Sequence, residues 1–211
     1  WSMMAELNAV TLPIVDGDNM FDGIITINDI ATSYMENQDS TIIAQAKTPY
    51  RNILETLEAE MVVGDPEAVF EKGNVLISAA DPDVMENYIE QSDMVITGNR
   101  YESQLSAIES GAGCIVVCLG APVSRSIQKL ANSHGCTVII TPLDTYTVAR
   151  RINQCMPVRA FMRREGLVKF LPGDYTDSIK DSMQNTRIRD FPVVDKSGKY
   201  IGMISRRNLL A

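Results

Sequence analysis

Ser205, Arg206, Arg207 and Asn208 stand together where the apolar run Gly202-Met203-Ile204 stops and a helix begins. A hydroxyl, two guanidinium groups and an amide at a strand-to-helix junction can hold an oxyanion, because the free N–H groups of a helix start and arginine forks all donate to it. Arg187 and Arg189 precede the neighbouring apolar run and are placed to converge from the side. These cations oppose the sign of the whole chain, whose formal net charge is -8. An acidic balance argues against general nucleic-acid binding. Other chemistries are poorly provided for. The single histidine, His134, precedes Gly135 at an expected helix C-terminus, where it serves the helix dipole, and one histidine supplies no multi-histidine metal centre. Cys114, Cys118, Cys136 and Cys155 form no CxxC pair and are expected as free core thiols, Cys114 and Cys118 on one face of a strand. There is no nucleophile–base pair, no carboxylate cluster and no glycine-rich phosphate loop.

The elements that position these groups come from an internal repeat. Met4–Asp16 overlays Met183–Asp195 with Pro13 on Pro192, and the same offset of 179 residues pairs Gly23 with Gly202, Ile25 with Ile204, Thr26 with Ser205, Asp29 with Asn208 and Ile30 with Leu209. Each copy reads as a helix end, a strand, a turn rich in Asp, Asn and Gly, a second strand and a helix. A serine or threonine at a helix start with an acid or amide three residues on is also an ordinary N-cap. The register lock of two copies, with arginines in the second alone, favours a ligand site. The first copy has Ile27 and Asn28 where the second has Arg206 and Arg207, and Asn8 and Val10 where it has Arg187 and Arg189. Anionic groups are therefore expected near the second copy. Met3, Met4 and Met183 are expected in the core.

A different module separates the copies. Pro49 to Met61 reads as a connecting helix with Ile53, Leu54 and Leu57 on one face. From Asn74 onward, strands and helices alternate: NVLIS, DPDVMENYIE with Asp81 as N-cap and Pro82 at its first position, DMVIT, RYESQLSAIES, CIVVCLG, PVSRSIQKLANSHG, TVIITP and TYTVARRIN. Unbroken Val/Ile runs between helices imply a parallel sheet covered on both faces. Thr97-Gly98-Asn99-Arg100 reads as a tight turn with Arg100 at the surface, and secondarily as an anion cradle. No apolar run reaches the length of a bilayer span and no signal peptide is recognisable, so the expectation is a cytoplasmic protein without membrane or nucleic-acid partners.

The pattern Pro-Val-Val-Asp, then Gly-x-Ile-[Ser/Thr]-x-x-[Asp/Asn]-Leu, resembles the cystathionine-β-synthase (CBS) domain, and the alternating module resembles the DRTGG domain. The implied fold class is α/β: a CBS-domain pair of α+β repeats interrupted by a doubly wound parallel-sheet DRTGG-like domain. The expected limits are 1–48 for the first CBS copy, 49–60 for the connecting helix, 61–146 for the DRTGG-like domain and 147–211 for the second copy. Val158–Met162 and the strand Leu167–Phe170 supply the second copy's front half, and Tyr175–Gln184 its first helix. The first copy starts inside its first helix at Trp1, so a fragment of a longer chain is expected. CBS pairs commonly bind adenine nucleotides in the cleft between copies. That likeness implies phosphate contacts at Arg187, Arg189, Ser205, Arg206 and Arg207, ribose contacts at Asn208 and Asp29 beside Thr26, and a base slot along Val168 and Lys169.

A DRTGG domain between two CBS copies is similar to the regulatory region of bacterial family II inorganic pyrophosphatases, which are manganese-dependent homodimers. The resemblance implies inhibition by AMP and ADP, activation by ATP and by diadenosine polyphosphates such as diadenosine tetraphosphate, and catalysis with its manganese in flanking sequence. Two other readings remain: a nucleotide sensor attached to a transcription regulator or other enzyme, and an enzyme using the strand ends of the middle module.

Overall fold

The computed structural model describes residues 2–36, 39–185 and 189–209. The chain divides into two units: Trp1–Glu36 joined by Phe161–Ala211, and Asn37–Ala160. The first copy runs α1 (Ser2–Glu6), β1 (Thr11–Val15), β2 (Phe21–Thr26) and α2 (Ile27–Glu36). β1 and β2 form an antiparallel hairpin that pairs Pro13 with Ile24 and slips register between Ile14 and Val15. Asp16 shapes its turn: Oδ1 accepts from the amides of Asp18 at 3.0 Å and Met20 at 2.9 Å. Asn19 takes the left-handed φ of 62° that the turn needs.

The second unit follows in chain order as α3 (Ile42–Gln45), β3 (Thr48–Pro49), α4 (Tyr50–Thr56), β4 (Glu60–Val63), β5 (Val69–Phe70), β6 (Val75–Ile77), α5 (Pro82–Met85), β7 (Met94–Thr97), α6 (Tyr101–Glu109), β8 (Cys114–Val117), α7 (Arg125–His134), β9 (Thr137–Ile140) and α8 (Thr145–Arg151), closed by short 3₁₀ turns. Its sheet has the order β4-β9-β8-β7-β6, parallel from β6 to β9. Both faces are covered. Met85, Ile108 and Ile127 from α5, α6 and α7 share one core with Val95, Ile115, Val117 and Val138. Three successive right-handed crossovers in one direction put their helices on one side. α4 and α8 supply Ile53 and Val148, both fully buried, away from that core. Asp81 and Pro82 open α5 as expected, and α7 ends on Gly135 in the left-handed conformation with His134 Nδ1 3.0 Å from the Leu130 carbonyl.

One expectation fails here. The helix predicted for Pro49–Met61 stops at Thr56, and Glu60–Val63 is a strand antiparallel to β9. Leu57 is fully buried, Glu58 takes a φ of 52°, and Thr141 Oγ1 donates to the Leu57 carbonyl at 2.6 Å, which ends the helix and turns the chain into the sheet.

All four cysteines are buried and free. Burial pushes Cys136 and Cys155 up to about 12, and Cys114 well above the ordinary thiol value. In the unfolded chain these thiols ionise near about pH 8.5, so the folded state holds protons that the unfolded state has lost. Stability is therefore expected to be flat below about pH 8 and to fall towards pH 12 by about 1.4 kcal/mol per pH unit for each thiol. Urea midpoints across that range check it, and an unchanged midpoint up to about pH 11 would contradict it.

The chain then re-enters the first unit with α9 (Thr176–Asn185), β10 (Asp190–Val194), β11 (Tyr200–Ser205) and α10 (Arg206–Leu209). The β10–β11 hairpin repeats the first in detail: Pro192 pairs with Met203, and the register slips between Val193 and Val194. Asp195 Oδ1 accepts from the amides of Ser197 and Lys199, and Gly198 takes a φ of 90° where Asn19 stands in the first copy. The two hairpin tips pair with each other. Phe21 N donates to Gly198 O at 3.1 Å and Tyr200 N to Asn19 O at 3.0 Å, while Met20 bridges Lys199. The 179-residue offset carries the Phe21–Gly198 contact into the Tyr200–Asn19 contact and makes Met20 equivalent to Lys199, so a local two-fold axis passes between Met20 and Lys199. Phe21, Ile24 and Val194 form one shared core with Leu167 and Tyr200. Phe170, Ile179, Met183 and Phe191 form another, its two phenylalanine rings edge to face at 5.5 Å. Met4 and Met183 are buried as expected, but Met3 is 61% exposed. The expected strand Leu167–Phe170 is reduced to one bridge between Phe170 and Val193.

Candidate functional site

The repeat unit contains a cavity of about 590 Å³, lined by both copies. Val10, Thr11, Ile24, Thr26, Ile27, Asn28 and Ala31 form one side, and Arg163, Arg189 and Asp190 the other. Thr11 Oγ1 donates to Asp190 Oδ2 at 3.0 Å, again joining equivalent positions. Where β2 becomes α2, Thr26 is the N-cap. Asp29 Oδ2 accepts from the Thr26 amide at 2.8 Å and its hydroxyl at 2.6 Å, and the Asp29 amide returns to Thr26 Oγ1 at 3.2 Å. Asp29 also meets Arg163, whose Nε is 3.0 Å from Oδ1. The Arg163 backbone pairs with Ile24 in both directions, at 2.8 and 3.0 Å.

The second junction copies the first. The Ser205 amide and hydroxyl donate to Asn208 Oδ1 at 3.0 and 2.5 Å, and the Asn208 amide returns to Ser205 Oγ at 3.3 Å. Arg206 N donates to Arg189 O as Ile27 N does to Val10 O. Of the residues expected from sequence, Thr26 and Arg189 line the cavity and Asp29 stands beside it. Ser205, Arg206, Arg207 and Asn208 gather at the second junction; Arg206, Arg207 and Asn208 are exposed, and none of the four lines this cavity. Val168 packs against the Phe170 core, and Lys169 Nζ sits 5.0 Å from the centre of the Phe21 ring. Arg187 lies outside the described residues. In the second unit, Arg100 is an exposed helix cap and Gln104 Nε2 donates to the Gly98 carbonyl at 3.2 Å.

Arg163 is the residue that sequence reasoning missed. Its signal was the pair Arg163-Arg164, which follows the segment expected to lead the second copy and repeats the Arg206-Arg207 doublet. The charge asymmetry is general. The first copy through Glu36 has six carboxylates and no Lys or Arg, whereas residues 161–211 have ten Lys or Arg and six carboxylates. An anion in this unit is therefore drawn to the second copy's side.

Two hairpin copies about a local two-fold, each closed by a hydroxyl and an acid or amide three residues on, define a CBS pair. A CBS domain profile matches residues 158–211, and a DRTGG domain profile matches residues 52–155. The chain belongs to the family of CBS–DRTGG regulatory regions. It is similar to the crystal structure of the CBS and DRTGG domains of the regulatory region of Clostridium perfringens pyrophosphatase, complexed with the activator diadenosine tetraphosphate. That match has 34% identity and a TM-score of 0.92, and covers 98% of this chain and 90% of that one. It is 33% identical to the cobalt-dependent inorganic pyrophosphatase of Clostridium perfringens over the whole of this chain. It is 26% identical to a probable manganese-dependent inorganic pyrophosphatase of Thermotoga maritima over 99% of this chain. The chain spans 38% of the length of each of these two proteins. Among the described residues, no helix is long and apolar enough to cross a membrane.

Proposed function

We propose that this chain is the adenine-nucleotide-binding regulatory region of an inorganic pyrophosphatase, and that the cavity of the repeat unit takes the nucleotide. The observation that carries the reading is the cavity: about 590 Å³, within the range of small-molecule sites, apolar on the first copy's side and cationic on the other. Val10, Ile24, Ile27 and Ala31 suit a purine face, Asp29 the ribose hydroxyls, and Arg163 and Arg189 the phosphates. The complex of the Clostridium perfringens region with diadenosine tetraphosphate supports a nucleotide as the ligand. The likeness to CBS pairs adds Ser205, Arg206, Arg207, Asn208, Arg187, Val168 and Lys169 to this reading as further proposed nucleotide contacts.

In this reading AMP and ADP inhibit, while ATP and diadenosine tetraphosphate activate. Each ligand class binds one arrangement of a cytoplasmic homodimer better than the other, which is what moves the equilibrium. A two-fold axis between subunits lets one dinucleotide serve two of them. In this reading hydrolysis and its metal belong to sequence beyond this chain, which spans 38% of the length of the two pyrophosphatases it resembles.

Calorimetric titration with AMP and with diadenosine tetraphosphate tests this. The chain should bind both, with half as many dinucleotides as subunits. Arg189→Glu should weaken AMP about 100-fold or more, because it removes a charge-assisted hydrogen bond and sets a carboxylate against phosphate. Arg206→Glu with Arg207→Glu should cost the dinucleotide more than AMP. Absence of binding by both ligands to the unaltered chain sinks the reading.

A further inference from the structure

The Asp29 carboxylate is fully claimed by the donors around it. Oδ2 accepts from the Thr26 amide, the Thr26 hydroxyl and Arg163 Nη2 at 3.3 Å, and Oδ1 accepts from Arg163 Nε at 3.0 Å. An ionised carboxylate offers about four lone-pair directions. A ribose diol brings two hydroxyl donors, so it cannot be held by Asp29 while the guanidinium stays forked across both oxygens. The ion pair is also in the way: the Asp29 side chain is 16% exposed, the Arg163 side chain 45%, and Arg163 rather than Asp29 lines the cavity. Exchange is inexpensive, because a half-exposed ion pair contributes little. The Arg163 backbone does not need to move, since its pairing with Ile24 is independent of the side chain. At the second junction Asn208 Oδ1 takes only the Ser205 amide and hydroxyl among the described residues.

Resting on the nucleotide reading of the cavity, we propose that Arg163 is a specificity residue that couples sugar recognition to phosphate recognition. A ribonucleotide displaces the guanidinium from Asp29 with its vicinal hydroxyls and receives it again on its phosphate. A nucleoside must break the same ion pair and offers the guanidinium nothing in return. The cavity thereby selects phosphorylated ribose over bare ribose through one side chain that changes partners.

The test is titration of the full chain, Arg163→Gln and Asp29→Asn with AMP and with adenosine. In Arg163→Gln, adenosine should bind about two- to fivefold more tightly, the equivalent of a half-exposed ion pair released, and AMP about tenfold or more weakly. The preference for AMP over adenosine then collapses. Should adenosine bind Arg163→Gln no better than the unaltered chain, or AMP keep its advantage, the exchange does not occur. Asp29→Asn covers the case in which Arg163→Gln folds poorly. Adenosine should weaken there while the preference for AMP widens, because the guanidinium is already free for phosphate; a narrowed preference overturns the proposal. If neither ligand binds the unaltered chain, the nucleotide reading fails first and takes this inference with it.

Discussion

Gly23→Ala should destabilise the repeat unit by about 2–3 kcal/mol, while Gly202→Ala, its equivalent in the other copy, should cost less than about 0.5 kcal/mol. A β-carbon on Gly23 would lie 2.5 Å from the Arg163 carbonyl oxygen, whereas one on Gly202 meets nothing within 4 Å. The obstacle at Gly23 is backbone that pairs with Ile24 in both directions, so relief requires the segment at Arg163 to withdraw and both hydrogen bonds to be lost. The guanidinium that reaches Asp29 leaves with it. Urea unfolding of both variants measures the difference. Equal midpoints would show that the Arg163 segment is not held where the hairpin requires it. Two glycines at matching places in a repeat thus have different reasons to be glycine, one of them packing.

Asp93→Ala should be similarly damaging in the second unit, at about 3–5 kcal/mol. Asp93 is fully buried; Oδ1 accepts from the Asn74 amide at 2.6 Å and side chain at 3.2 Å, and Oδ2 from the Glu90 amide at 2.7 Å. Its own carbonyl receives the amides of Gly113 and Cys114. One aspartate therefore ties together the starts of β6, β7 and β8. Alanine leaves the part-buried amides of Asn74 and Glu90 without their acceptors, and each such loss costs about 1–3 kcal/mol. Asp93→Asn keeps one oxygen and should be milder. Hydrogen exchange at Val75 and Met94 reads the effect locally, and unchanged protection in Asp93→Ala would refute it.

The hairpins were legible because their determinants are local. Asp16 and Asp195 build their turns from amides two and four residues on, and the offset between copies places every equivalent residue without reference to distant contacts. The parallel strands were legible for a related reason, since buried Val/Ile runs leave few alternatives. Strand β4 was not legible, because the leucine spacing of Ile53, Leu54 and Leu57 suits a helix and the stop depends on a threonine far along the chain. Arg163 was hidden for the same cause: its role comes from pairing with Ile24 across more than a hundred residues, and no spacing rule carries that. At the second junction the capping pattern of Ser205 and Asn208 repeats that of Thr26 and Asp29, yet the described cavity opens beside the first. The arginines that line it come from the second copy, which is the side that the charge asymmetry favours.

The interruption between the copies has a consequence for the order of folding. The contacts joining Ile24 to Arg163 and Met20 to Lys199 enclose all of Asn37–Ala160, and closing an unstructured loop of that size costs about 4 kcal/mol in chain entropy. Within the second unit the two ends already lie close: Arg159 donates to the carbonyls of Ala46 and Lys47, and Ser40 and Asn153 line one small pocket. Once that unit has formed, its long loop is replaced by a short tether. The repeat halves can then meet as though they were neighbours in the chain, so the interrupting domain acts as an assembly aid for the domain that it splits.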